Sequence, residues 1–241
     1  MTTSGTTAFA LSGADLVLEA FDRLQIRPSE ITADHMVSAR RSMNLVQVRW
    51  ANRGTNLWKV DPAGTPQSIS LVQGTATYNL PSATVMVLDV YRRFTQAGQD
   101  PIDTIMTPIS RSDYAALPDK VVQAPPTIYY FDRQETTPTI TFWQVPDSAA
   151  SSYTVNLYTV QQIEDAAALA SQTPDVPYRF LEALCADLAL HLAKKYPPKP
   201  DSGITIADLR ADAADAWHEA ASEDRERVPM YLVPDLSGYF R

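Results

Sequence analysis

Cysteine, glycine and histidine are all scarce in this chain: one, eight and three among 241 residues. The single Cys185 excludes an internal disulfide and any multi-cysteine zinc site. It falls on the apolar face of a predicted helix, the setting of a buried structural thiol. The glycines are scattered, whereas loops that cradle phosphate need them close together so that backbone N–H groups can reach the ligand. No G-x-S-x-G elbow, Walker A loop or G-x-G-x-x-G turn occurs, which argues against nucleotide binding. His35, His191 and His218 lie at no metal-ligand spacing and are assigned to the surface. Basic charge is also short. Twenty Lys and Arg against 28 Asp and Glu leave a net charge of −8, unsuited to wrapping DNA by phosphate neutralisation. A passage through which DNA slides without sticking remains compatible with it. No apolar run reaches the ~20 residues of a membrane span. The opening Met-Thr-Thr-Ser-Gly-Thr-Thr has no charged n-region, which predicts a soluble chain without a secretory signal.

What is present divides by periodicity. Ser12-Gly-Ala-Asp15 leads into a helix with Leu16, Ala20 and Leu24 on one side, ending before Pro28. Thr32 is a good N-cap for a second helix, with Asp34 favourable to its dipole. Met36, Ala39, Met43, Val46 and Trp50 form its seam, Arg40, Arg41, Asn44 and Gln47 take other faces, and Gly54 is the expected C-cap. From Leu57 the period changes to two. Ser68–Val72 and Thr75–Leu80 read as a hairpin about Gln73-Gly74, followed by strands over Val85–Tyr91 and Asp103–Ile109. Arg111–Leu117 reads as a short helix. Thr127–Phe131 and Thr139–Trp143 form a second predicted hairpin, and Ser152–Val160 alternates again. Gln161–Val176 is a predicted linker with one short helix near Ala166–Ala170.

The last third carries two further helices and a non-helical end. The first places Tyr178, Leu181, Cys185, Leu188, Leu192 and Tyr196 on one face, with Phe180, Leu184 and Leu190 off it. That extra apolar surface implies burial on two sides or contact with another subunit. The second, capped by Ser202 or Thr205, has Ile206, Leu209, Ala213, Trp217 and Ala220 on one face. Asp208, Asp212, Asp215, Glu219 and Glu226 lie opposite. The expected fold class is therefore α+β: an antiparallel bundle of about four helices, interrupted by an inserted antiparallel β subdomain, with an extended C-terminal arm. The expected boundaries are residues 1–56 and 161–228 for the bundle, 57–160 for the β subdomain and 229–241 for the arm.

The row Asp208, Asp212, Asp215, Glu219 is the strongest candidate for chemistry. Its spacing puts the carboxylates on one helical face, where they could hold a divalent cation in a hydrolase or line a channel. A solvated face opposite an apolar stripe explains the same spacing, and no second segment offers converging ligands. Tyr129, Tyr130, Phe131, Phe142 and Trp143 could stack bases, but such platforms interleave Lys and Arg, and these strands lack them. Core or protein interface is the reading they support. No catalytic residue, cofactor site or metal site is assigned.

Four stretches carry a resemblance. These are Ala39-Arg-Arg-Ser-Met-Asn-Leu45 with Trp50-Ala-Asn-Arg-Gly54 and Leu57-Trp58; Pro108-Ile-Ser-Arg-Ser-Asp-Tyr-Ala-Ala-Leu117 with Lys120; Thr139-Ile-Thr-Phe-Trp-Gln-Val-Pro146 running into Tyr153–Tyr158; and Pro177-Tyr-Arg-Phe-Leu-Glu-Ala-Leu184 with Leu188–Ala193 and Lys195-Tyr196. In these and in element order the chain resembles the head-to-tail adaptor (head completion, tail tubular protein A-like) family of tailed phages, which includes podoviral packaged-DNA stabilisation proteins. The resemblance implies a non-enzymatic virion protein, made in the bacterial cytoplasm, that forms a dodecameric ring under the phage portal protein. Such a ring extends the DNA channel, passes DNA without specific binding, and seats a tail nozzle or tail-tube protein. It further implies that Pro229, Met230, Tyr231, Leu232, Val233, Pro234, Leu236, Tyr239, Phe240 and Arg241 form a portal-binding arm. The β subdomain is larger than in short members, which leaves its tail partner open. Two other classes compete: a metal-dependent hydrolase using Asp208, Asp212 and Asp215, and a tail accessory or host-binding module using the Thr127–Trp143 hairpin.

Overall fold

The computed structural model describes Gly5, residues 9–54 and residues 57–224. Four of its helices share one hydrophobic core: α1 (Gly13–Asp22), α2 (Ala33–Ala51), α4 (Leu181–Ala193) and α5 (Ile206–Glu223). Their starts are set by the same local chemistry. Ser12, Thr32 and Thr205 each cap a helix through a side-chain oxygen, and the third helical residue (Asp15, His35 or Asp208) returns a bond to the cap. Gly13 has a further reason to be glycine. Its N–H and that of Ala14 donate to the Gln172 and Leu169 carbonyls at 2.9 Å. A Cβ on Gly13 would lie 3.0 Å from the Leu169 side chain and 3.2 Å from its backbone. The loop thus satisfies two N–H groups that an α-helix leaves unpaired.

Helix α4 is the centre of this core and packs on α1, α2 and α5. It is buried nearly all round, including Leu184 and Leu190 and, just before it, Phe180. The extra apolar surface seen in the sequence is therefore explained by burial within the chain. Met43, Val46 and Trp50 of α2 are buried as the seam predicts, but so is Gln47, expected on another face. Helix α2 closes at Asn52 rather than Gly54. The short helix expected near Ala166–Ala170 is a turn. Tyr178 and Ile206, both placed on apolar faces by spacing, are exposed because they stand at the starts of their helices, beyond the reach of the opposing elements.

The strands form two four-stranded sheets. The first orders β1 (Gln67–Ser70), β8 (Tyr153–Gln161), β3 (Thr84–Phe94) and β4 (Ile102–Ile105). The second orders β2 (Thr77–Asn79), β7 (Thr139–Trp143), β6 (Ile128–Asp132) and β5 (Thr107–Pro108). Residues from both sheets, among them Ile69, Val90, Leu157, Tyr129, Ile140 and Phe142, share a second core. The hairpin β6–β7 appears where alternation predicts it, and α3 (Arg111–Ala116) occupies the predicted short helix. The hairpin about Gln73-Gly74 does not form. β1 pairs with β8 and β2 with β7, so the turn carries the chain from one sheet to the other. Gly74 there has φ +78° and donates its N–H to the Pro146 carbonyl. The run Asp103–Ile109 is likewise divided between sheets at Met106, and its β5 portion pairs in parallel with β6. Alternation fixes which side chains point inward, but it does not choose the partner strand.

The chain enters and leaves the sheets side by side. Val60 bridges Val160, and the Asp61 carboxylate accepts from the Thr159 N–H at 2.8 Å. Buried Lys59 donates to Asp175 at 2.6 Å, and Asp175 also accepts from the Glu164 N–H.

One buried carboxylate ties α2 to α4. Asp187 is 1% exposed and accepts from the Trp50 indole N–H at 2.6 Å and from Arg49, with Arg53 at 3.4 Å. Asp187→Ala would leave the buried Trp50 indole N–H without an acceptor and take the partner from two part-exposed arginines. We expect it to lower unfolding stability by about 3 kcal/mol in urea titration. Asp187→Asn, which keeps an acceptor for Trp50, should lose less.

Candidate interaction surfaces

Asp208, Asp212, Asp215 and Glu219 share the exposed face of α5, opposite buried Leu209, Ala213 and Ala220. The structure therefore brings the predicted row together, although its members do not act alike. Asp208 is the third residue of the capping box and accepts from the Thr205 hydroxyl at 2.7 Å and the Thr205 N–H at 3.0 Å. Those bonds hold its carboxyl below the usual range. The other three project from the helix as a negative surface. Among the described residues, no group of three or more His, Cys, Asp or Glu side chains is placed to hold a metal ion.

The aromatic residues of β6 and β7 are not a free platform. Tyr129 and Phe142 are buried, Tyr130, Phe131 and Trp143 are half-buried, and Tyr130 stacks on Tyr114 of α3. Trp143 donates its indole N–H to the Asp119 carbonyl at 2.8 Å. Two histidines are also less exposed than expected. The His35 ring packs against Phe21 and Tyr196 while its Nδ1 serves the Thr32 cap. His191 is half-buried beside Arg49, and burial, followed by that guanidinium, pushes its imidazole pKa down. Cys185 is buried, and its thiol is pushed up to about 12 by desolvation, as an inert structural cysteine requires.

Other surface features gave weaker sequence signals. Val37, Leu45 and Val48 form an exposed apolar row on α2, outside the buried seam. A groove of about 660 Å³ lies between α1 and the start of α4. Asp224, at the end of α5, is paired with Arg179. The portal-arm residues from Pro229 to Arg241, and Glu226 of the acidic face, lie outside the described residues.

Comparison with protein families matches residues 12–233 to the SU10 adaptor protein family. The chain belongs to that family. The family is one of phage head-to-tail adaptors, so the resemblance carried by the four stretches is upheld. Comparison with curated proteins finds none that matches. The matched span takes in both cores, so the adaptor fold of this SU10-family chain includes the strands as well as the helices. Among the described residues no helix is long and apolar enough to cross a membrane.

The Asp208 box gives a pH signature for the α5 face. A carboxyl depressed in the folded state adds stability above its unfolded value of 3.8, and that contribution is lost as pH falls through the depressed value. Thr205→Ala, which removes the cap oxygen and the hydroxyl partner of Asp208, should lower the denaturant midpoint at neutral pH. The gap from the parent should narrow in denaturant titrations taken to progressively more acidic pH.

Proposed function

We propose that this SU10-family adaptor forms a ring below the portal, extends the DNA channel, and seats the tail nozzle or tube. The family match over residues 12–233 carries this reading. In it, the helices of residues 1–56 and 161–228 build the ring wall, and the strands of 57–160 face the tail. Residues 229–241 reach the portal, with Tyr231, Leu232, Val233, Leu236, Tyr239 and Phe240 as anchors. The exposed row Asp208, Asp212, Asp215 and Glu219 faces the lumen, where like charge repels the phosphate backbone and keeps DNA moving. Such a protein works by docking and needs no catalytic group, and its place is the head-to-tail junction of the virion.

The mode of assembly follows from the surface. The exposed apolar row on α2 is three residues long. A stable interface buries about 800 Å² per partner, so that row alone does not hold a ring together. In this reading the protein stays a monomer until the portal aligns its copies and the arm orders on its partner.

Removing residues 229–241 should leave a monomer with unchanged circular dichroism that no longer attaches to DNA-filled heads. Normal attachment by the truncated chain would remove the arm assignment. Elution of the intact chain as a stable ring without portal would overturn assembly on demand. Asp212→Asn with Asp215→Asn should still assemble virions, whereas a hydrolase using that row would lose turnover.

A further inference from the structure

The groove between α1 and α4 has an apolar floor and an acidic rim. Phe9, Leu11, Leu18, Tyr178, Leu181 and Cys185 supply the floor, with Phe9 and Tyr178 exposed at 70% and 78%. Asp15, Glu19, Asp22 and Glu182 stand along it against the single guanidinium of Arg23. That guanidinium crosses the groove, 3.2 Å from Glu19 on α1 and 2.8 Å from Glu182 on α4.

The sequence beyond Asp224 has the complementary order. Arg225-Glu-Arg227 comes first, then Val228-Pro-Met-Tyr-Leu-Val233 between Pro229 and Pro234. Prolines at both ends favour an extended segment over a helix. The starting point of this segment is fixed, because Asp224 is held by Arg179, the neighbour of groove residue Tyr178. A helix with its side chains is about 10–12 Å across. Residues 225–228, extended at ~3.3 Å each, reach about 13 Å. That length is enough for Arg225 and Arg227 to meet the carboxylates and for residues 229–233 to reach the apolar floor.

We propose that in the unassembled protein the groove between α1 and α4 holds the chain's own residues 228–233, so that the arm is stored until the portal competes for it. This rests on the reading of residues 229–241 as a docking arm and adds where the arm lies before it docks. Storage covers Tyr231, Leu232 and Val233, which would otherwise be a sticky apolar end on a monomer made in many copies. The groove and the portal then compete for one segment, so the affinity of the arm for the portal is reduced by the fraction stored.

The test uses the isolated full-length chain. With Cys185→Ala as background, Leu18→Cys and Leu232→Cys are combined and oxidised at low protein concentration. The control combines Val48→Cys, on the exposed face of α2, with Leu232→Cys. An intramolecular disulfide forming at least about tenfold faster in the groove pair is expected, since docking raises local concentration well above that of a free tether. Equal rates in the two pairs, or intermolecular dimers in place of the internal bond, would overturn the proposal. Hydrogen exchange on the unsubstituted chain gives a second reading. Amides of residues 230–233 should be protected and should lose that protection in Arg225→Glu with Arg227→Glu, whereas exchange at the free-peptide rate in the parent also overturns it. Neither measurement involves the head. Failure here therefore leaves the portal-arm reading standing, and failure of head attachment leaves the stored segment standing.

Discussion

The contact between Asp187 and the end of α2 decides how the helical core is put together. Helix α4 is apolar on almost every side, and hydrophobic packing is non-directional. Apolar contact alone would leave its rotation and its height against α2 weakly specified. A buried carboxylate has no such freedom. Taking Asp187 out of water costs several kcal/mol unless its oxygens are met, and Trp50, Arg49 and Arg53 meet them here. A shift of α4 against α2 would part them, so the contact favours this register over its neighbours whatever its net stability against an apolar substitute. The two arginines also lie in and just beyond the last turn of α2, where positive charge suits the helix dipole.

That register propagates. With Trp50 fixed, Trp217 of α5 packs on it at 4.7 Å between ring centroids, and Phe180 lies against both. Arg53 stands 4.4 Å over the Trp217 ring, so one guanidinium contacts both the buried acid and α5. Trp58, at the entry to the strands, packs at a tilt against Phe180, 4.5 Å between ring centroids. The aromatic cluster therefore connects α2, α4, α5 and the doorway to the sheets. Once α5 is held by this cluster, its acidic row must face outward. The same contacts fix where α5 ends, because Arg179, which pairs with Asp224, adjoins Phe180.

Periodicity and capping made most elements legible. Ser12, Thr32 and Thr205 marked helix starts through side-chain chemistry that acts within four residues, and the seam of α2 named its buried face. The failures share a physical cause, in that each depends on contacts distant in sequence. Gln73-Gly74 has the composition of a hairpin turn, but β8 and β7 compete successfully for the strands on either side. Asp187 looks like the polar member of an amphipathic helix until α2 is seen to supply three donors. Lys59 and Gln47 were hidden for the same reason. The exposed α5 row was legible because one helix presents it, whereas the groove needs α1 and α4 together. The family resemblance rested on order and local pattern, which tolerate such errors in pairing.

An adaptor must hold its docking surfaces in fixed relation to one another. A core locked by a buried ion pair and ring packing meets that demand. Arg179 and Asp224 extend that core to the end of α5. They hold its end to the start of α4, so the helix that carries the acidic row is tied to the core at its last turn as well. The short apolar row on α2 lies outside that core and is too small to hold a stable interface by itself.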